Sequence, residues 1–321
     1  MTATISAEKL LRDLSQVWTD LAKDSVEKSS TGVLRACAMN LLVCVEGDHD
    51  VAATLAEAAH EYPCRLLVLR VRREPGAQLS GRALAQCWMP FGRRQQICSE
   101  QIEISAPPEA LPDVLSVVRA LWAADLPVVV WFRNDSLLVE PALQLLLPMA
   151  DKVIVDSRRA LQPLAVLAQV KALVAAGRPV GDLGWTRITR WRSTIAQIFD
   201  NHVCRKNLLG LHSVTIEHTS LEPPLTVPYL AHWLESSLNR ELRRTYRSTQ
   251  NPERWEIQRV TLTGLEFETS IRRKDETAVE ARWDGHTAAF VYPRQTEADL
   301  LVEEFGILAP DPVFQSVIAR L

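Results

Sequence analysis

Two apolar runs on either side of an alanine-rich segment determine the fold class of the first half of the chain. The runs are LLVCV at residues 41–45 and RLLVLRV at residues 65–71. Neither alternates polar and apolar residues, which indicates strands buried on both faces. The segment between them, Asp50 to Tyr62, is helical in composition, with Asp50 as its cap, and Pro63 ends it. This succession predicts a parallel β-α-β unit with a right-handed crossover.

The same alternation of elements continues to about residue 180. Residues 72–94 are rich in Arg, Gly and Pro and predict a loop or an edge hairpin. We predict helices at Ala7–Val26, after the prolines at 107–108, at Leu137–Met149 and at Leu161–Ala176, and strands at Val33–Val45, Ile97–Ile104 (an edge strand), Val128–Phe132 and Val153–Val155. Residues 1–180 are therefore expected to form an α/β domain with a largely parallel sheet.

Beyond residue 200 the pattern changes to short alternating strands separated by turns. The pair Asp284-Gly285 is typical of a hairpin turn. We predict strands at Leu208–His218, Trp255–Thr263, Leu265–Arg272, Thr277–Trp283 and Thr287–Tyr292, and helices at Tyr229–Arg244, 297–305 and 312–321. Residues 181–321 are expected to form an α+β domain with an antiparallel sheet, and the helix of Gly181 to Asp200 lies at the junction.

The segment from Gly181 to Asp200 is the most distinctive part of the sequence. Asp182 is the predicted N-cap, and an apolar stripe at helical spacing includes Trp185 and Trp191. Two interpretations stay open: a core helix at a domain interface, or a recognition element, because Trp and Arg dominate binding energy at interfaces. The partner-binding hypothesis names Trp185, Trp191, Arg187, Arg190 and Arg192, and the two flank arginines, Arg187 and Arg190, are the better candidates for contacts outside the core.

The sequence has no motif for catalysis, for a cofactor or for a metal. No GxGxxG follows a strand, and neither GxxxxGK[ST] nor GxSxG occurs. The seven histidines match no metal-ligand spacing, so we expect no catalytic, cofactor-binding or metal-binding residues. Polar stretches, WFRNDS and VDSRR, do follow two predicted strands; they are read either as turn and capping residues or as the lining of a small-molecule pocket.

Charge, hydropathy and cysteine spacing limit the classes of partner and the cellular compartment that we expect for this chain. A net charge of -3 gives no general attraction to nucleic acid or acidic membranes, and the RRTYR cluster at 243–247 is expected to end a helix. No apolar run is long enough to cross a bilayer, and the first residues lack a secretory signal, so a cytoplasmic location is expected. Six cysteines without a CxxC pair predict reduced, mostly buried thiols.

Four motifs, in order along residues 30 to 200, resemble one known family. They are HEYPCR at 60–65, LPVVVWF at 126–132, DKVIVDS at 151–157 and DLGWTRITRWR at 182–192. Their combination is similar to the glucose-6-phosphate dehydrogenase assembly proteins, called OpcA. The resemblance implies a non-catalytic assembly factor or allosteric activator that binds glucose-6-phosphate dehydrogenase and supports its oligomerisation and activity in the oxidative pentose phosphate pathway. The alternative is an enzyme of unknown chemistry with a site at the carboxyl ends of the N-domain strands.

Overall fold

A computed structural model describes residues 5–27, 33–88, 96–200, 202–249 and 256–321. The chain divides into two compact units, the first made of Met1–Gly181 with Glu297–Ala309 and the second of Asp182–Thr296 with Pro310–Leu321. The first unit thus includes a helical segment from near the end of the chain. The division into independently folding domains at 1–180 and 181–321 remains a prediction.

The first unit is built on a largely parallel sheet, as predicted. Its strands lie in the order β1-β5-β3-β2-β6-β7-β8, and β4 pairs antiparallel with β5. The elements are α1 (Ala7–Glu27), β1 (Val33–Arg35), β2 (Met39–Glu46), α2 (Ala52–Glu61), β3 (Cys64–Val71), β4 (Ser80–Trp88), β5 (Gln96–Ala106), α3 (Leu111–Leu121), β6 (Val128–Phe132), α4 (Asp135–Leu138), α5 (Pro141–Gln144), β7 (Lys152–Val155), α6 (Pro163–Ala175) and β8 (Val180–Asp182).

The two apolar runs form adjacent central strands. Leu42 of β2 pairs in register with Leu67 of β3 on one side and with Val130 of β6 on the other, and all three side chains are buried. The parallel β2-α2-β3 unit predicted from these runs is confirmed. The chain builds outward from β2 to β3 and β5, and then returns to place β6 on the opposite side of β2. The point between β2 and β6 is therefore the topological switch point of the sheet.

Strand β5 is an interior strand, so the prediction of an edge strand here was wrong. It pairs with both β3 and β4. The polar residue Glu100 produced the misleading alternation, because its side chain is buried yet compensated: Arg65 Nε lies 2.6 Å from one carboxylate oxygen, and Arg35 and Trp18 contact the other. A buried carboxylate is tolerated when it is paired and hydrogen-bonded in this way.

Two other predicted elements are interrupted in the structure. The helix predicted at Leu137–Met149 is replaced by α4, α5 and a 3-10 turn at Leu147–Met149. Pro141 is the first residue of α5 and Pro148 is the second residue of the 3-10 turn, and their missing N–H groups break a continuous helical hydrogen-bond ladder. The single strand predicted at Val33–Val45 is divided into β1 and β2.

Cys87 and Cys98 form a disulfide, so the prediction that all six cysteines are reduced was wrong for this pair. The two residues face each other on β4 and β5, with their Cα atoms 4.0 Å apart. Only the register of that strand pair brings them together, and the spacing of the cysteines carries no sign of it. The thiols of Cys37, Cys44, Cys64 and Cys204 are free. Burial raises the pKa of Cys44 and Cys64 to about 12, so both stay protonated.

Helix α11 (Glu297–Phe305) completes the first unit, and basic side chains hold both of its ends. At its start, Arg133 and Arg159 each lie 3.1 Å from a Glu297 oxygen. At its end, the buried ammonium of Lys152 lies 2.6 Å from the Glu304 carboxylate and donates to the carbonyls of Glu304 and Ile307. The terminal carbonyls of a helix favour such a cation.

The second unit is an α+β layer with a mostly antiparallel sheet, as predicted. Its strands lie in the order β10-β9-β11-β12-β13-β14, and only the β9-β10 pair is parallel. The elements are α7 (Leu183–Thr186), α8 (Thr189–Asp200), α9 (His202–Asn207), β9 (Ser213–His218), α10 (Thr226–Leu238), β10 (Arg243–Ser248), β11 (Ile257–Thr263), β12 (Glu268–Arg273), β13 (Ala278–Trp283), β14 (His286–Val291) and α12 (Pro312–Ile318).

The turn and the ends of this sheet test two further predictions. Asp284 and Gly285 both have positive φ angles, of 45° and 75°, which confirms the predicted two-residue hairpin turn.

The RRTYR cluster lies on strand β10 and does not end a helix, because Asn239 ends α10 in the left-handed conformation. The predicted strand start at Trp255 lies outside the described residues. In the described part of the chain, no helix has the length and apolar character of a bilayer span.

Candidate functional site

The first part of the Trp/Arg segment is an internal anchor of the second unit. Asp182 caps α7, since its Oδ1 accepts the Gly184 N–H at 2.8 Å, which confirms the predicted cap. The Trp185 side chain is buried, and its Nε1–H donates to Asp311 Oδ2 at 3.0 Å. Its ring centre lies 5.4 Å from that of Phe314 and 6.3 Å from that of Tyr229. The predicted single helix is divided, because α7 ends at Thr186 and α8 begins at Thr189.

The second tryptophan is buried against the end of the sheet. The Trp191 ring meets Tyr292 edge-on, with centres 5.5 Å apart. The Tyr292 hydroxyl hydrogen-bonds to the Arg190 carbonyl at 2.8 Å and to Thr194 Oγ1 at 2.7 Å. Burial raises the pKa of Tyr292 to about 12, so the phenol stays neutral. Trp191 therefore contributes packing that fixes α8.

The three arginines of the segment differ in their surroundings. The Arg192 guanidinium carbon lies 3.6 Å from the centre of the Trp185 ring, and its Nη2 donates to Thr189 Oγ1 at 3.0 Å. This is the geometry of a cation–π contact. Arg187 and Arg190 are half-buried. The hypothesis that these three arginines contact a partner remains a prediction, and Arg187 and Arg190 are the candidates that the sequence favours.

A groove opens in the first unit where three parallel strands end. It is a cavity of about 470 Å³ lined by residues that follow β2, β6 and β7. Its lining spans the topological switch point between β2 and β6, the position at which sheets of this kind bind ligands. Both polar stretches noted in the sequence, WFRNDS and VDSRR, contribute to it.

Several polar side chains of the groove bind neighbouring residues. Glu46 uses both carboxylate oxygens, one for Arg73 Nε at 2.6 Å and the other for Ser136 Oγ at 3.0 Å. Asn134 Oδ1 accepts the Glu46 N–H at 3.0 Å and so joins the ends of β2 and β6. Arg159 lies 3.7 Å from Asp156 as well as close to Glu297. These contacts make a rigid rim.

The helix end that would receive a dinucleotide pyrophosphate carries carboxylates. In dinucleotide-binding sheets the pyrophosphate lies at the N-terminus of the helix after the first strand of the unit. Here Asp50 Oδ1 already accepts the Ala52 N–H at the start of α2, at 2.9 Å. Asp48 lies in the same loop, and Arg72 beside it holds the pKa of that carboxyl below its usual value. These residues do not fit a pyrophosphate.

Sequence reasoning missed one cluster of titratable groups in the second unit. His232 Nδ1 lies 2.9 Å from Glu235 Oε2, and Glu235 Oε1 accepts the Leu242 N–H at 3.1 Å. Burial, followed by the charge of Arg244, lowers the pKa of His232. The spacing of His232 and Glu235, three apart on a predicted helix, was the available signal. The cluster joins α10 to the start of β10.

In the described ranges, no group of three or more His, Cys, Asp or Glu side chains could hold a metal ion.

Two consecutive family matches cover most of the chain. Both belong to the glucose-6-phosphate dehydrogenase subunit: residues 55–172 match its N-terminal domain, and residues 178–318 match its C-terminal domain. A protein of Nostoc punctiforme that carries the OxPP cycle name OpcA is 28% identical over 202 residues. That match covers 60% of this chain and 43% of the relative, so the likeness spans less than half the length of that protein.

Several solved structures resemble the fold at low identity. A dehydrogenase from Chromobacterium violaceum has a TM-score of 0.49 and 9% identity over 88% of this chain and 92% of that chain. A 3-ketoreductase from Actinomadura kijaniata, in complex with TDP-benzene and NADP, has a TM-score of 0.47 and 11% identity over 87% and 94%. At these values the likeness carries nothing about activity. The two family matches show the family: with both halves matched in order, the chain belongs to the OpcA family, whose domains are described as those of a glucose-6-phosphate dehydrogenase subunit.

Proposed function

We propose that the chain is a non-catalytic assembly factor or allosteric activator of glucose-6-phosphate dehydrogenase. In this role it binds the dehydrogenase in the cytoplasm and supports its oligomerisation and its activity in the oxidative pentose phosphate pathway. The observation that carries the proposal is the pair of matches to the two domains of a glucose-6-phosphate dehydrogenase subunit, which together cover most of the chain.

The chemistry of the strand ends supports a role without catalysis. The residues at the start of α2 do not fit a dinucleotide pyrophosphate, because Asp50 occupies that helix end. Two carboxylates of the groove, Glu46 and Asp156, are each already paired with an arginine, Arg73 and Arg159 respectively.

Two half-buried arginines, Arg187 between α7 and α8 and Arg190 on α8, are the proposed contributors to dehydrogenase activation. Arg187→Ala together with Arg190→Ala is expected to weaken activation while lowering the free energy of unfolding by only about 1 kcal/mol, because both residues are partly exposed. The matched control is Arg243→Ala with Arg247→Ala, two exposed arginines on β10 of the same unit. Full activation by the Arg187/Arg190 variant would refute the role of these arginines.

The decisive experiment uses the purified chain and the dehydrogenase of the same organism. NADP reduction is measured at increasing chain concentration, and gel filtration with light scattering gives the mass of the mixture. We expect a higher rate and a larger dehydrogenase oligomer. An unchanged rate and separate elution at micromolar concentrations would refute the proposed function.

A second candidate function, an enzyme acting at the strand ends, is favoured by one observation. The groove lies at the switch point of the sheet, where α/β enzymes bind substrates. The isolated chain discriminates the two functions: turnover of a sugar phosphate, or calorimetric NADP binding in the micromolar range, would support the enzyme and contradict the assembly role.

A further inference from the structure

We infer that the groove at the carboxyl ends of β2, β6 and β7 is a docking site for the dehydrogenase, which inserts an apolar side chain there and sets a neighbouring lysine or arginine against Asp135. The inference rests on the proposed function, since it names a surface of this chain through which the partner binds, in addition to the contact proposed for Arg187 and Arg190. The features that carry it are a continuous groove, exposed apolar side chains around it, a hydrogen-bonded loop that presents one of them, and one carboxylate without a basic partner in the described ranges.

The groove continues beyond the main cavity. A second cavity of about 140 Å³ lies beside it, and both are lined by Asp135, Ser136, Leu138, Leu161 and Val166. Leu161 and Leu138 thus belong to the walls of both spaces. The result is an extended, mostly apolar depression on the surface, which suits a segment of another protein better than a compact ligand.

The rim of this depression exposes large apolar side chains. Leu161 is 89% exposed and Val139 is 50% exposed, and both line the smaller cavity. Leu164, two residues before the lining residue Val166, is 76% exposed. Single exposed leucines are ordinary, but a cluster around a cavity marks an interaction surface. Covering these side chains would remove apolar area from water and so stabilise a complex.

Hydrogen bonds hold the loop that presents Leu161. The Arg159 N–H donates to the Asp156 carbonyl at 3.2 Å, and the Gln162 N–H donates to Asp135 Oδ2 at 3.0 Å. Pro163 then begins α6 and fixes its own φ angle. The chain on both sides of Leu161 is therefore anchored. A pre-ordered anchor loses less conformational entropy on binding, which favours affinity.

The charge at the groove specifies the partner. Arg133 and Arg159 both meet Glu297, and Arg159 also meets Asp156, so these guanidinium groups are compensated. Asp135 lines both cavities, and within the described ranges no basic side chain forms an ion pair with it. A lysine or arginine next to the inserted apolar side chain would complement this carboxylate, and complementary charges raise the rate and specificity of association.

The test measures binding of the dehydrogenase to the wild-type chain and to two variants by calorimetry. Leu161→Ser removes the exposed anchor, and Asp135→Asn removes the charge while keeping an oxygen for the Gln162 N–H. We expect Leu161→Ser to raise the Kd at least about tenfold. Asp135→Asn is expected to raise the Kd severalfold and to make it less dependent on salt. Leu221→Ser, at an 81% exposed leucine in the second unit, is the matched control.

The binding measurements separate the proposed function from the proposed docking site. If the wild-type chain does not bind the dehydrogenase, the proposed function and this inference both fail. If the wild type binds and Leu161→Ser binds with the same Kd, the groove is not the docking site, whereas the proposed function stands. If Leu161→Ser changes only the mass of the isolated chain in gel filtration, the groove holds a second copy of this chain, which also overturns the inference. Melting curves of both variants, expected to match the wild type, show that a weaker complex is not the result of unfolding.

Discussion

Replacing Trp185 separates an anchor of the fold from a contact with a partner. Trp185→Ala removes a ring that is 3% exposed and packs between Tyr229 and Phe314. Truncating a buried Trp or Phe to Ala costs about 3–5 kcal/mol. The lost hydrogen bond to the Asp311 carboxylate adds about 1 kcal/mol, because that carboxylate is half-buried and water replaces part of the bond. The free energy of unfolding of the second unit should therefore fall by about 4–6 kcal/mol.

Two milder substitutions divide that loss into its parts. Trp185→Phe keeps an aromatic ring and loses the donor, so we expect a loss of about 1–2 kcal/mol. Asp311→Ala removes both the acceptor and the cap of α12, where its Oδ1 accepts two backbone N–H groups, and should also cost about 1–2 kcal/mol. The double variant should show a coupling of about 1 kcal/mol, since the shared hydrogen bond is counted twice in the single variants.

The assay is urea unfolding followed by circular dichroism, with dehydrogenase activation measured on the same samples. An anchor predicts a large loss of stability for Trp185→Ala and normal activation by the folded Trp185→Phe variant. If Trp185→Ala unfolded within about 1 kcal/mol of the wild type, the ring would not anchor the unit. Loss of activation by a fully stable Trp185→Phe variant would instead assign the ring to the partner contact.

Three further perturbations test other parts of the fold. Because the pKa of His232 is lowered in the folded chain, the unfolded chain takes up a proton first as the pH falls through about 6.5, and the second unit should lose stability below that pH. The loss should be smaller in His232→Gln, and melting curves at pH 7.5 and 5.5 would show the difference. Breaking the 11-residue disulfide loop, by Cys87→Ser or by a reductant, should lower the stability of the first unit by up to about 3 kcal/mol in denaturant titrations, and an unchanged midpoint would contradict this. A β-carbon at Gly181 would overlap the Glu304 carboxylate, so Gly181→Ala should cost about 1–3 kcal/mol, whereas Gly210→Ala, with no neighbour nearer than 3.6 Å, should melt like the wild type.

The parallel sheet was predictable because its central strands are buried on both faces. Val128–Phe132 was predicted with the bounds that the structure has, since five consecutive apolar residues leave no solvated face. The prediction failed where a polar residue is buried with its own partners. Glu100 reads as a surface residue in the sequence, but it lies inside the sheet with two arginines, and only the tertiary structure reveals that compensation.

The same limit explains the RRTYR segment and the disulfide. Arg243 and Arg247 are compatible with the end of a helix and with an edge strand, and the strand forms because the crossover through α10 places it parallel to β9. Cys87 and Cys98 are ordinary apolar positions until the β4–β5 register is known. In both cases the deciding contact joins segments whose relative placement no local pattern contains.

The Trp/Arg segment shows that residue type alone does not reveal how far a side chain is exposed. Tryptophan beside arginine suggests an interface hot spot, yet Trp185 is buried and Arg192 lies over its ring, so these two residues complement each other within the second unit. Leu161, in contrast, follows two arginines and an alanine at the start of a predicted helix, and the hydrogen-bonded loop after β7 keeps it 89% exposed. A side chain contributes binding energy through the area that it has left to bury, and that area is set by the fold rather than by the residue type. Binding assays on Leu161 and stability assays on Trp185 therefore address separate properties of the chain, and neither result can substitute for the other.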